Sequence, residues 1–270
     1  MPELPEVETT RRGLILKLEG RKLIAVHVRH RQLRWPVPAD LETQLCGRRL
    51  ETISRRGKYL LFDFSGLIQI VHLGMSGSLR FVAPDEPPAV HDHVDWIFAG
   101  ALTLRMRDPR RFGAVLLTED PASHVLLAHL GPEPLSARFD GDHLYRASRG
   151  ARIAVKNFIM DSKRVVGVGN IYASESLFAA GIRPGTAAGR LTRPACERLA
   201  QAIKTILRAA IRAGGSSLRD YVAASGELGY FQLHTRVYDR AGQPCRNCGT
   251  AIKRAVQGQR ATFYCPHCQG

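Results

Sequence analysis

The chain has 270 residues, of which 44% are hydrophobic and 23% charged, enough to bury a sizeable core and to build two domains with a small appendage. Its 39 Lys and Arg outnumber 24 Asp and Glu, and a formal charge of +15 points to a polyanionic partner, nucleic acid before an acidic membrane surface. No apolar run reaches the roughly 18 residues a spanning helix needs, and Glu3, Glu6 and Glu8 precede any basic residue, which argues against a secretory leader.

Pro2 to Leu16 reads as a helix entered through two prolines, with Pro5 suited to its first turn and Glu6 and Glu8 matching the positive end of its dipole. From Lys22 the period changes to two. Ile24, Val26 and Val28 are expected on one face, and Ala25, His27 and Arg29 on the other. Tyr59–Phe64, a Ser65-Gly66 turn and Leu67–Leu73 form a predicted hairpin. Leu79–Val82, Val94–Phe98, Leu102–Met106 and Ala114–Thr118 continue the meander, with a tight turn at Ala99-Gly100. Short strands at this spacing favour a sandwich or barrel over a parallel sheet. Helical texture is expected from near residue 125, after or around a linker at Leu130–Ser136. Ile171–Ala180 ends at Gly181, and Arg193–Ala213 ends at Gly214-Gly215 with Leu199, Ile203, Ile206 and Ala210 on one face.

The tail carries Cys245-x2-Cys248, sixteen intervening residues, and Cys265-x2-Cys268. Two such knuckles complete a tetrahedron of thiolates around one zinc ion and leave no open position, so the metal is expected to be structural. An iron–sulfur site or a redox pair uses the same residue type. From Arg236 on, six basic residues face the single acid Asp239, which suits phosphate contact. Cys46 and Cys196 stand alone, and this cysteine usage fits a reducing cytoplasm.

The opening Met1-Pro2-Glu3-Leu4-Pro5-Glu6-Val7-Glu8-Thr9 resembles the start of bacterial formamidopyrimidine-DNA glycosylases, also called 8-oxoguanine DNA glycosylases. The resemblance returns at Arg56-Gly57-Lys58-Tyr59-Leu60, at His72-Leu73-Gly74-Met75-Ser76-Gly77 and at Asp108-Pro109-Arg110-Arg111-Phe112-Gly113. Further matches are Leu130-Gly131-Pro132-Glu133-Pro134, Gly167-Val168-Gly169-Asn170-Ile171-Tyr172 and Gln259-Arg260-Ala261-Thr262-Phe263-Tyr264-Cys265, so it spans essentially the whole chain.

The resemblance implies roles for named residues. With Met1 removed, Pro2 presents a secondary α-amine, and α-amines titrate around pH 8, so part of it is nucleophilic at neutral pH. Its attack on a sugar C1′ gives an iminium whose positive charge acidifies the C2′ proton, so base loss and strand cleavage follow from one intermediate. Glu3 is the adjacent acid, donating to the sugar ring oxygen or otherwise managing protons. Lys58 matches the lysine linked to β-elimination, and Arg260 the zinc-finger arginine that grips phosphates and is linked to δ-elimination. Met75, Arg110 and Phe112 match the trio that fills the space left by the flipped nucleotide, Met and Phe as wedges and Arg as partner to the orphaned base. His91, Arg152 and Asn170 match positions that touch the DNA backbone. Some relatives carry a lysine where this chain has Arg219, and the loop Ala223–Phe231 is assigned to the base pocket.

Taken alone, the proline–glutamate start is a helix-start pattern, Lys58 a solvated lysine and Arg260 an ordinary exposed arginine. The alternatives are an endonuclease VIII-like glycosylase for oxidised pyrimidines, a non-catalytic zinc DNA-binding protein, and a zinc-ribbon component that would explain only the tail. The expected fold is α+β: an N-terminal antiparallel β-sandwich or flattened barrel headed by a helix (1–130), a helix–two-turn–helix domain (131–235) and a zinc-finger hairpin (236–270). The expected partner is double-stranded DNA carrying oxidised purines, with one structural zinc and a monomeric working state.

Overall fold

The computed structural model describes residues 2–215 and 235–270, so Arg219 and the loop 223–231 lie outside the described residues. The chain divides into two compact units, one holding the residues up to Ala128 and the short return that begins at Ala213, the other beginning at His129.

In the first unit, helix α1 (Leu4–Leu18) precedes β1 (Leu23–Val28), the short helix α2 (Leu41–Leu45), β2 (Thr52–Arg56), β3 (Tyr59–Phe64) and β4 (Leu67–His72). Strands β5 (Ser78–Val82), β6 (Asp92–Phe98), β7 (Leu102–Arg107) and β8 (Ala114–Thr118) complete it. They form two four-stranded sheets in the orders β1-β6-β7-β5 and β2-β3-β4-β8, with every neighbouring pair antiparallel. One core joins the sheets, with Leu60, Phe62, Phe64, Val71 and Val115 from the second packed with Val94, Trp96, Phe98, Leu104 and Met106 from the first. The expected sandwich is therefore present. The β3–β4 turn is the two-residue kind anticipated, with Ser65 and Gly66 both left-handed at φ 56° and 90°.

Two local expectations need correction first. Ile24 is 48% exposed and does not share a face with Val26, because the β1–β6 register shifts between Leu23 and Ala25 and rotates the strand by one residue. The stretch from residue 119 to 140 forms turns and bends, and the next helix starts only at Gly141. Pro121, Pro132 and Pro134 each remove an N–H and push the preceding residue out of helical space. Strand β2 carries no apolar alternation because it is a sheet edge that buries Ile53 alone.

The anchor of α1 is Glu8. Its carboxylate accepts from Arg11 (Nη2 at 2.9 Å, Nε at 3.0 Å) and Arg12 (2.9 Å) on its own helix, and from Arg55 of β2 at 3.2 Å. Arg11 also donates to the Ile53 carbonyl at 3.2 Å, and Glu19 at the other helix end accepts from Ile53 N and Thr52 Oγ1, both at 2.9 Å. Burial alone would raise the pKa of Glu8. Hydrogen bonds from Arg11 and Arg12 and the charges of Arg11 and Arg55 outweigh it and hold the carboxyl at about 2.

The second unit contains α3 (Gly141–Ser148), α4 (Val155–Met160), α5 (Asn170–Ala179), α6 (Arg193–Arg212) and a hairpin of β9 (Lys253–Gln257) and β10 (Arg260–Tyr264). Helix α6 buries Leu199, Ile203, Leu207 and Ala210, so Leu207 and not Ile206 completes its apolar face. Buried polar groups fasten the hairpin to α4 and α5. Glu175 accepts the N–H groups of Arg236, Val237 and Tyr238 at 2.9, 3.0 and 2.8 Å. Lys156, with no exposed surface, donates to Asn170 Oδ1 (2.6 Å), the Ala261 carbonyl (2.9 Å) and Thr262 Oγ1 (2.7 Å). Phe178 packs with Val237, Ile252 and Phe263. No helix among the described residues is long and apolar enough to cross a membrane.

Because the folded Glu8 carboxyl titrates near 2 against an ordinary 4.5, its contribution is complete above pH 4.5 and is lost as the pH falls toward 2. Glu8→Gln is expected to cost up to about 3 kcal/mol at neutral pH. It should also flatten the acid-side decline of Tm, as read by thermal melts across that range. Lys156→Met removes a buried donor from three acceptors, of which the Ala261 carbonyl keeps the Asn170 amide, an expected loss of about 3 kcal/mol in local stability. Hydrogen–deuterium exchange should then speed up across Ala261–Tyr264 and stay unchanged in β3 and β4.

Candidate active site

Helix α1 runs antiparallel to β2: Glu19 sits at Thr52 and Ile53, whereas Glu8, three turns earlier, sits at Arg55. Its N-terminus is thereby directed toward the β2–β3 turn, which carries Gly57 and Lys58. Pro2 and Glu3 are buried at that N-terminus, and Pro5 occupies the first turn as anticipated. The Glu3 N–H donates to Glu6 Oε2 at 2.8 Å, one half of a capping box that fixes the backbone beside Pro2. Glu3 is thus a buried carboxyl beside Pro2 at the positive end of the helix.

Lys58 is partly buried. Near it, His72 packs against Tyr59 in a tilted arrangement with ring centroids 4.8 Å apart and accepts the Gly74 N–H through Nδ1 at 3.1 Å. Desolvation, then the charges of Lys58 and Arg34, push His72 down to about 4, so its imidazole is neutral at physiological pH. Sequence reasoning gave His72 no role, although it opens one of the motifs that carried the resemblance.

Met75 lies in the loop between β4 and β5, and Arg110 and Phe112 in the loop between β7 and β8. Met75 and Phe112 are each 39% exposed, so neither is a core residue. The Arg110 guanidinium lies 4.9 Å over the Phe112 ring. His91 borders a cleft of about 550 Å³ with Arg29, His30, His93 and Arg111, and Arg111 donates to His30 Nε2 at 3.0 Å. The segment leading into His91 is held by Arg105, which donates to the Glu86 and Pro87 carbonyls and forms a buried pair with Asp95. Pro2, Glu3, Lys58, His91, Met75, Arg110 and Phe112 all belong to the first unit.

In the second unit Arg152 is exposed just before α4, and Arg260 is exposed at the start of β10, beside the Gly258-Gln259 turn. Asn170 opens α5, but its side-chain amide is engaged internally, accepting from Lys156 and donating to the Ala261 carbonyl at 3.1 Å. Asn170 itself is half-buried, and its neighbours Gly169 and Ile171 are buried. Lys156 and Glu175 escaped sequence reasoning because a lysine and a glutamate in helices ordinarily read as solvated.

The four tail cysteines place their sulfurs within 4.8 Å of one another, with Cys245 and Cys268 3.9 Å apart and Cys248 and Cys265 3.5 Å apart. A tetrahedral zinc with Zn–S bonds of about 2.3 Å wants sulfurs about 3.8 Å apart, so the quartet fits one ion. Hydrogen bonds from Thr250 draw the Cys248 thiol down to about 6, while hydrogen bonding with Cys248, followed by burial, pushes Cys268 up to about 12. Thiols this crowded do not all ionise unless a cation takes the place of their protons. The ion closes the knuckles and keeps the β9–β10 hairpin in place. His91 and His93 do not join such a group; among the described residues the cysteine quartet alone has metal-ligand geometry.

Three family models match the chain in order: the formamidopyrimidine-DNA glycosylase N-terminal domain at residues 1–115, its H2TH domain at 130–222, and the zinc finger found in FPG and IleRS at 242–270. A formamidopyrimidine-DNA glycosylase of Thiobacillus denitrificans is 66% identical over 269 residues, covering 100% of both chains. The fold is similar to that of a Lactococcus lactis FPG mutant in complex with Fapy-dG containing DNA, with a TM-score of 0.93 at 35% identity over 99% of each chain. It is also similar to MutM in complex with carbocyclic 8-oxo-G containing DNA, with a TM-score of 0.91 at 34% identity and the same coverage. With matches that run the full length of the chain and reach each element of the site, this protein belongs to the formamidopyrimidine-DNA glycosylase family.

Proposed function

We propose that this protein is a bifunctional DNA glycosylase and abasic-site lyase of base excision repair, removing 8-oxoguanine and formamidopyrimidines from double-stranded DNA and then cutting the strand. The observation that carries the reading is the N-terminus itself, with Pro2 and Glu3 buried, capped by Glu6 and braced by the Glu8 ion cluster. A helix-start pattern alone needs no such investment in a chain end.

With Met1 removed, the Pro2 nitrogen attacks C1′ of the extruded nucleotide. The C1′–N9 bond breaks, the base leaves with its bonding pair, and Glu3 gives a proton to the sugar ring oxygen as the ring opens. The product is an iminium between Pro2 and C1′. Loss of the C2′ proton then expels the 3′ phosphate (β-elimination), and a second proton loss expels the 5′ phosphate (δ-elimination). Lys58 acts in β-elimination and Arg260 grips phosphate during δ-elimination. His91, Arg152 and the Asn170 end of α5 hold the DNA backbone, while Met75, Arg110 and Phe112 fill the space the nucleotide leaves.

The working division is a catalytic sandwich at 1–130, a helical DNA-binding domain at 131–235 and a zinc finger at 236–270. The zinc has no part in bond making. The protein acts as a monomer in the bacterial cytoplasm, associated with the nucleoid through DNA, and the charge of +15 supports that placement.

The deciding experiment is borohydride trapping on a duplex with one 8-oxoguanine opposite cytosine. The expected product is a covalent adduct mapping to Pro2 in protein lacking Met1. Trapping only on an oxidised-pyrimidine duplex would transfer the reading to an endonuclease VIII-like activity. Tight binding with no adduct on either duplex would reduce the protein to a zinc-stabilised DNA-binding module. Zinc is expected at one ion per chain by elemental analysis. Cys265→Ser should lose it and weaken DNA binding by at least about tenfold, as the hairpin that carries Arg260 comes apart.

A further inference from the structure

The loops bearing Met75 and bearing Arg110 and Phe112 are separated by β5, β6 and β7 in the chain, yet one buried carboxylate joins them. Asp108, with no exposed surface, accepts the Ser76 hydroxyl at Oδ1 (2.9 Å) and the Gly113 N–H at Oδ2 (2.7 Å). The same Ser76 oxygen accepts the Arg110 N–H at 3.2 Å. Met75 is therefore one residue from a held atom, Arg110 carries one, and Phe112 is one residue from another.

Asp108 is itself fixed. Its N–H donates to the His91 carbonyl at 3.0 Å, and its own carbonyl meets the Arg111 N–H at 3.2 Å and His93 Nε2 at 2.9 Å. The loops also touch directly. Gly74, left-handed at φ 63°, lies so close to the other loop that a Cβ there would come within 2.4 Å of the Phe112 carbonyl carbon. His72 Nδ1 accepts the Gly74 N–H at 3.1 Å.

We propose that Ser76 and Asp108 are positioning residues that lock the two loops into a single preformed wedge, so that Met75, Arg110 and Phe112 enter the duplex together. The proposal rests on the reading above in which this trio fills the space of the extruded nucleotide. Two separate loops would each have to be ordered at the moment of extrusion, when stacking and pairing are also being broken. The Ser76–Asp108 hydrogen bond completes that ordering during folding. Its loss should slow the step that needs the wedge and spare steps that do not.

The test compares Ser76→Ala with the wild type on 8-oxoguanine opposite cytosine and on a preformed abasic site, with a 2-aminopurine beside the lesion to report unstacking by stopped-flow fluorescence. Ser76→Ala is expected to slow unstacking and excision of the paired lesion by about tenfold. Cleavage of the abasic duplex should change by no more than about twofold, a split that general loosening of the fold would not give. In a Met75→Ala background, Ser76→Ala should add less than about twofold, because a wedge already broken cannot be broken again. Asp108→Asn serves as a second variant, expected to show the same preference for slowing the paired lesion. Equal slowing on both substrates, or effects of Ser76→Ala and Met75→Ala that multiply, would overturn the positioning role while leaving the enzyme reading intact. A wild-type protein that leaves the paired lesion uncut overturns the enzyme reading itself.

Discussion

The carboxylate of Glu8 bridges the first helix and the edge strand β2 through three arginines, and the proposed chemistry depends on that bridge. Chain termini are usually the least ordered part of a fold. A nucleophile that is a terminal amine therefore needs an anchor close behind it. The anchor here is ionic and nearly buried, Glu8 being 8% exposed, so removing either sign of charge leaves the other stranded. Glu19 repeats the attachment at the far end of the helix, and the two contacts together fix the direction in which Pro2 and Glu3 point.

The second unit solves a related problem with different groups. A short two-stranded hairpin cannot support itself in water. Zinc closes its base, but a closed hairpin still has to be aimed. Lys156 and Glu175 do this from α4 and α5: the lysine holds β10 at Ala261 and Thr262, and the carboxylate gathers three consecutive backbone N–H groups at Arg236–Tyr238. Each is a buried charge satisfied by several hydrogen bonds, which gives orientation more than net stability. Arg260, exposed beside the turn, inherits its position from these buried neighbours.

The same division between buried scaffold and exposed reagent recurs in the loops of the sandwich. Met75, Arg110 and Phe112 are exposed, while the atoms that place them belong to Ser76, Asp108 and Gly113, which are buried. Positive charge spread over the surface draws in a polyanion without selecting a sequence, so selectivity has to come from such fixed groups.

The sequence by itself determined the zinc site, the hairpin at Ser65-Gly66 and the family, because each depends on residues close together or on ordered motifs. Cysteine spacing specifies a knuckle locally, and a left-handed turn needs only its own two residues. Through the family resemblance it also singled out Met75, Phe112 and Arg260, which the structure leaves exposed. Only the tertiary structure decided what holds them. Asp108 meets Ser76 across 32 positions of chain, Glu8 meets Arg55 across 47, and Lys156 meets Thr262 across 106. The tertiary structure also turned Ile24 outward through a register shift set by its partner strand, and placed Leu207 in the core where Ile206 was expected. A local pattern shows which residues can be buried together. Which polar group satisfies which depends on elements that meet only after the chain has folded.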